Sequence, residues 1–174
     1  MQIDADEIDI HSHSSTLRER IVEHVFIGDA LRRLWQLGIT DVEVLRSEFD
    51  AGGYDIVMSR ERIVRHIQFK SVMVEGKAAR TSISLRLSDK PSGCVIWMVV
   101  TPQLAIDHYL WFGAVPGQPL PNIQNYAVAK HSKGNAEGAK LERPMHRVLP
   151  RGRFDRLKNM DEVLVHLFGD LTKS

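Results

Sequence analysis

The stretch that decides the fold is Gly53-Tyr-Asp-Ile-Val-Met-Ser-Arg-Glu-Arg-Ile-Val-Arg-His-Ile-Gln-Phe-Lys70. Two runs rich in β-branched residues, 54–58 and 63–70, flank the polar turn 59–62, and this pattern predicts an antiparallel pair of strands. Side chains alternate across a strand, so Ile67 and Phe69 point one way and His66, Gln68 and Lys70 the other. On the preceding strand Asp55 and Val57 point opposite to Tyr54, Ile56 and Met58. Asp55 can therefore meet Gln68 and Lys70 on one face of neighbouring strands.

Working outward, Val42-Glu-Val-Leu-Arg-Ser47 reads as a strand before the turn Asp50-Ala-Gly-Gly53, which completes a meander. Upstream, Leu17, Ile21, Val25, Leu31, Leu34 and Trp35 recur largely at spacings of three and four. That predicts an amphipathic helix over about 15–37, disturbed near Gly28 and stopped by Gly38. Ser14, Ser15 and Thr16 are N-cap candidates, and Glu19, three residues after Thr16, has the spacing of a capping-box partner. Residues 1–13 are acidic and are expected to form a flexible arm, leaving 14–174 as one domain.

Downstream, Cys94-Val-Ile-Trp-Met-Val-Val100 is apolar on both faces and reads as a buried central strand holding Trp97. Trp35 is expected in the core as well. Residues 81–88 alternate as a strand does, yet Ile83 and Leu87 also suit a short helix. A short helix is expected after Pro102, a strand at about 108–113, a proline-containing loop at 114–125, and a last helix at 160–168 capped by Asn159 and ended by Gly169. Packing is the simpler role for Tyr109, Trp111 and Phe112, with base stacking as the alternative.

The composition excludes several classes. The apolar run 94–100 is far shorter than the ~20 residues of a membrane-spanning helix. The acidic N-terminus lacks the features of a signal peptide, and the lone Cys94 cannot form an intrachain disulfide; a reducing cytoplasm is the expected compartment. Eight histidines occur without a Cys pair or a His-Glu-x-x-His motif, which argues against a structural zinc site.

The net charge of +1 conceals a polarised chain. The first ten residues carry four acids, Asp4, Asp6, Glu7 and Asp9, and no base. Residues 130–158 hold nine Lys/Arg against three acids, a local charge of +6. Within that segment Lys130, Lys133, Lys140, Arg143 and Arg147 are the candidate contacts to DNA phosphates, with Lys130-His-Ser-Lys-Gly-Asn135 as a basic loop.

An acid, an amide oxygen and an ammonium that converge beside a helix suit phosphodiester hydrolysis. Magnesium prefers hard oxygen ligands and retains several waters, so Asp55 and the Gln68 carbonyl oxygen are candidate ligands. Lys70 is placed to orient or deprotonate water and to stabilise developing charge. Glu48 and Asp50 lie close enough in sequence to approach the metal, although Asp50 is most simply a turn residue; His66 shares the Gln68/Lys70 face, although a surface His is the simpler account.

Glu23 in the first helix, Gly53-Tyr-Asp-Ile56 and Gln68-Phe-Lys70 together resemble the PD-(D/E)xK nuclease superfamily, in the Gln-x-Lys variant found among type IV restriction-like endonucleases. The resemblance covers about residues 15–101. It implies a restriction-endonuclease-like α/β core of order α-β-β-β-α-β, with a mixed central sheet flanked by helices and a metal site at the opening of the central strands. It further implies a catalytic set of Asp55, Gln68, Lys70 and Glu23, in which Asp55, Gln68 and Glu23 hold Mg²⁺ or Mn²⁺. Glu19, one turn earlier than Glu23, is the rival helix acid.

Two departures stand out. No Pro precedes Asp55, and Gln68 stands where most members carry an acid, which removes one charge from the site. The resemblance implies a metal-dependent DNA endonuclease, with a homodimer expected because cutting both strands needs two sites. The alternative is a nuclease-fold module with a weak or inactive site that binds nucleic acid or a protein partner.

Overall fold

The computed structural model describes residues 14–49, 52–131 and 138–172. The expected acidic arm, Asp50 and Lys133 lie outside these residues. The first helix, α1 (Ser15–Gln36), runs without interruption through Gly28. Its apolar stripe buries Val22, Phe26, Ala30 and Leu34, while Trp35 lies on the opposite side and is 74% exposed. The expectation of a core Trp35 is thus corrected, because the helix turns its other face to the sheet.

Of the three N-cap candidates Ser14 occupies the position, without a side-chain cap bond; the capping box expected of Thr16 and Glu19 is corrected, because Thr16 already lies inside the helix. At the other end Gly38 adopts φ 75°. Its N–H reaches Trp35 O at 3.0 Å and that of Ile39 reaches Leu34 O at 2.9 Å, so these bonds satisfy carbonyls left open by the helix end.

The meander follows as β1 (Val42–Arg46), β2 (Ile56–Arg60) and β3 (Ile63–Met73), with β2 antiparallel to both neighbours. β5 (Gly93–Val100) lies parallel to β3, and β6 (Ile106–Gly113) and β9 (Asp155–Leu157) continue the sheet antiparallel. The result is a mixed six-stranded sheet in the order β1-β2-β3-β5-β6-β9. All eight residues of β5 are buried, as expected for a strand covered on both faces. In place of a helix after Pro102 the chain makes a tight turn with Leu104 at φ 63° and passes directly into β6.

Parallel strands need a crossover, and here it is unlike the expected order. Between β3 and β5 lie β4 (Arg80–Ser84) and a 3₁₀ turn (Leu85–Asp89) where the resemblance implied an α-helix. Residues 81–84 thus follow the strand reading and 85–88 lie in the 3₁₀ turn, while the short helix that would join Ile83 to Leu87 does not form. Ser84 makes the switch: its side chain accepts the Arg86 N–H at 3.3 Å. Ile83 and Leu87 then enter the same buried cluster.

The basic segment is not merely a loop. β7 (Val128–Lys130) and β8 (Glu142–Pro150) join β4 in a second, three-stranded sheet of order β4-β8-β7. The last helix, α2 (Met160–Phe168), begins as expected, with Asn159 Oδ1 accepting the Glu162 N–H at 3.0 Å.

Two apolar layers hold the molecule together, and each fully buried aliphatic or aromatic side chain in them contributes about 1.5–3 kcal/mol. On one face of the large sheet, α1 and α2 pack on Ile56, Met58, Ile67, Ile96 and Trp111. On the other face Val95, Trp97, Val99 and Leu110 meet Ile83 and Leu149 of the small sheet. Both described helices thus cover one face, correcting the expectation that helices flank the sheet; the second face is covered by strands.

Candidate active site

β2 and β3 part company at a defined point. Their pairing ends at Ile56 opposite Ile67, whereas β3 continues to Met73 alongside β5. Asp55 sits at the opening. Its N–H donates to Ile67 O at 2.8 Å, and its carboxylate accepts the Phe69 N–H at 2.6 Å. The side chain thereby satisfies a β3 donor that β2 no longer reaches, which holds an exposed acid against the fork.

Gln68 is buried and its Oε1 lies 3.4 Å from the Ser84 N–H, so β4 fixes its amide. Lys70 is half-buried and opposite Trp97 in the β3–β5 register. Two cavities meet at this fork. One of about 270 Å³ opens toward the start of α1 and is lined by Glu19, Arg20 and Glu23 with Asp55 and Lys70. The other, of about 410 Å³, opens toward the small sheet and adds Gln68, Ser84, Arg86, Arg143 and His146. Glu19, Asp55, Phe69 and Lys70 line both.

The two helix acids have different surroundings. Glu23 is 5% exposed. One of its oxygens is paired with Arg46 of β1 and the other with Arg20 at 3.2 Å. Its charge is thus compensated by two guanidinium groups. Glu19, one helical turn earlier, is exposed and borders both cavities.

The basic candidates separate as well. Arg143 lines the larger cavity. Arg147 instead donates to Gln124 O at 3.2 Å and to Pro144 O at 2.7 Å, bracing a loop. Lys130 is exposed at the end of β7 opposite Glu142, and Lys140 is exposed before β8. Neither lines the cavities at the fork. Glu48 is exposed and outside both cavities.

His66 packs edge-on against Tyr54 at 5.0 Å, and burial, followed by nearby Lys90, pushes its pKa down. Tyr109 and Trp111 are core residues of the helix-covered face, which agrees with packing roles. The sequence did not single out Ser84, Arg86 or His146. Their only local signal was the polarity of segments whose partner in space is visible only after folding.

Among the described residues no set of three or more His, Cys, Asp or Glu side chains gathers as a ready-made metal cage. Three oxygen donors still border the fork: the Asp55 and Glu19 carboxylates and the Gln68 amide. That suits an ion such as Mg²⁺, which takes only one or two protein carboxylates and completes its shell with water and phosphate. No described helix is long and apolar enough to cross a membrane. No protein-family model matches this chain, and comparison with curated proteins finds no match.

Proposed function

We propose that the protein is a metal-dependent phosphodiesterase acting on DNA, built on a restriction-endonuclease-like core. The observation that carries this reading is the meeting of Asp55, Gln68 and Lys70 at the fork where β2 leaves β3, beside the start of α1. A helix, an antiparallel meander and a crossover to a parallel strand support it at the level of topology.

In this reading Asp55 and Gln68 hold the metal, and Glu19 takes the helix-acid role in preference to Glu23. A bound Mg²⁺ or Mn²⁺ would polarise the phosphodiester and lower the pKa of water at the site. Lys70 orients the attacking water and stabilises charge developing on the phosphoryl oxygens. The Asp55–Phe69 hydrogen bond fixes the carboxylate before substrate arrives, so less ordering is required during reaction. Cleavage of both strands would engage two copies of the chain.

The test is incubation of the protein and its Lys70→Ala variant with linear, nicked, branched and single-stranded DNA plus Mg²⁺ or Mn²⁺. Metal-dependent cleavage by the parent and a loss of roughly 10²–10³-fold in the variant is the expected result. Equal activity in both, or none on any substrate, would falsify the assignment.

A second reading is a binding module without chemistry. It is favoured by the neutral, hydrogen-bonded Gln68 and by the charge compensation of Glu23. Calorimetric titration with Mn²⁺ separates the two: the phosphodiesterase binds metal in an Asp55-dependent manner, and the module has no need to.

A further inference from the structure

We infer that Arg143 and His146 of β8, with Arg86 of the 3₁₀ turn, form a subsite for a nucleic-acid backbone phosphate adjoining the one that Asp55 and Lys70 would serve. The identity of the ligand rests on the phosphodiesterase reading; the geometry does not.

Charge is divided across the fork. Toward α1 the wall carries the acids Glu19 and Glu23 with Arg20. Toward the small sheet Glu19, Asp55 and Lys70 recur, and the wall adds Gln68, Arg86, Arg143 and His146. Asp55 and Glu19 at the shared centre favour a metal ion, and the two guanidinium groups added on the small-sheet side favour an anion, so a phosphate chain laid across the fork would meet both in turn.

The cationic wall is held in place by the fold. Ser84 is 4% exposed, pairs opposite His146 in the β4–β8 register, and offers its N–H to Gln68. β8 is therefore connected through β4 to the same amide that faces the proposed metal. Arg143 Nη2 lies 2.8 Å from His146 Nε2. A guanidinium has no acceptor, so it donates and His146 accepts on Nε2. This contact occupies one of five guanidinium donors and orients the planar head at the cavity wall, a geometry suited to paired hydrogen bonds with phosphate oxygens.

The sequence points to Arg143 for DNA contact along with Lys130, Lys133, Lys140 and Arg147, of which all but Lys133 are among the described residues. Only Arg143 of these four described residues lines the cavity, and the subsite recruits Arg86 from a region more than fifty residues away in the chain.

The test measures anisotropy of a short fluorescein-labelled DNA duplex with excess EDTA, so that no metal chemistry contributes. Arg143→Gln and Arg86→Gln should each weaken binding roughly tenfold at low salt and reduce the slope of log K against log salt by about one. Arg143→Lys should keep the slope while recovering only part of the affinity, since it retains charge without the planar fork. Arg62→Gln, on the exposed β2–β3 turn, is the control and should stay within about twofold of the parent.

Parental affinity in Arg143→Gln, or an equal loss in Arg62→Gln, overturns the subsite. Cleavage assays keep the two proposals apart. Selective binding losses without metal-dependent cleavage would support the subsite and sink the phosphodiesterase. Cleavage with unselective binding would do the reverse.

Discussion

Arg46 at the end of β1 is ion-paired with Glu23 on α1, and this contact ties the edge of the meander to the helix beside the candidate site. It also gives the two helix acids different surroundings. Glu23 is enclosed and neutralised by Arg46 and Arg20, whereas Glu19 remains exposed at the mouth of both cavities.

Glu19→Gln should therefore lower metal-dependent cleavage at least about tenfold while leaving stability within about 0.5 kcal/mol, as for an ordinary surface change. Glu23→Gln should destabilise by about 1–3 kcal/mol, because a buried acceptor of two charged hydrogen bonds is weakened. Urea unfolding and a cleavage time course on both variants check the pair. A stable but inactive Glu23→Gln protein would return the helix-acid role to Glu23.

Gly53 tests the connection between the fork and the small sheet. It has φ 71°, and a Cβ there would lie 2.6 Å from Ser84 Oγ. Gly117 has φ 82° with nothing within 4 Å of such a Cβ. Both Ala substitutions incur the left-handed backbone cost of about 1–2 kcal/mol. Gly53→Ala should lose more than Gly117→Ala in thermal melts and should also reduce cleavage by displacing Ser84 from Gln68. Equal losses in the two variants would show that the contact is unimportant.

Arg65 is fully buried between β3 and α2. Its guanidinium donates to Leu167 O at 2.9 Å, His166 O at 2.6 Å, Ala114 O at 2.9 Å and Ser92 Oγ at 3.0 Å. The charge thus faces carbonyls at the end of α2, where the helix dipole is negative, and lies 5.4 Å from the Trp111 ring centroid. Arg65→Met should cost about 3–5 kcal/mol in urea unfolding, since it strips several buried acceptors of their donor. A cost below about 1 kcal/mol would show that water replaces the guanidinium there.

Alkali should destabilise the fold through two buried groups. Burial pushes the Cys94 thiol from 9.0 up to about 12 and the Tyr109 hydroxyl from 10.0 up to about 12, the latter helped by Asp29. Between about pH 9 and 12 the unfolded chain has lost protons that the native chain keeps, so stability falls as pH rises across that window. Cys94→Ala should flatten the lower part of the decline even if its neutral-pH stability differs. The check is the slope of unfolding free energy against pH; an unchanged slope in Cys94→Ala would remove the thiol from the account.

Much of this arrangement was legible along the chain. The period of two over 53–70 placed Asp55 with Gln68 and Lys70, because alternation is a property of the strand backbone itself. The stop at Gly38, the Asn159 cap and the all-apolar β5 follow from equally local chemistry. The small sheet was not legible. β8 buries only Leu149 fully and is otherwise half-buried or exposed, so its polar composition looked like a solvated segment. Spacing alone does not place Trp35: Leu17, Ile21, Leu31 and Trp35 form a second apolar row that the folded helix leaves exposed, beside the row Val22, Phe26, Ala30 and Leu34 that it buries.

Local chemistry along the chain is enough for the helix, the meander, the central strand and the likeness of Asp55 and Gln68-x-Lys70 to a nuclease motif. Long-range packing is what brings Arg46 to Glu23, lays a second sheet over the face left without helices, and gathers Arg86, Arg143 and His146 at one cavity. The physical reason is a difference in range. Periodicity, caps and turns are set by neighbours a few residues apart, whereas the choice among several acids and a scattered set of bases depends on which apolar faces pack together.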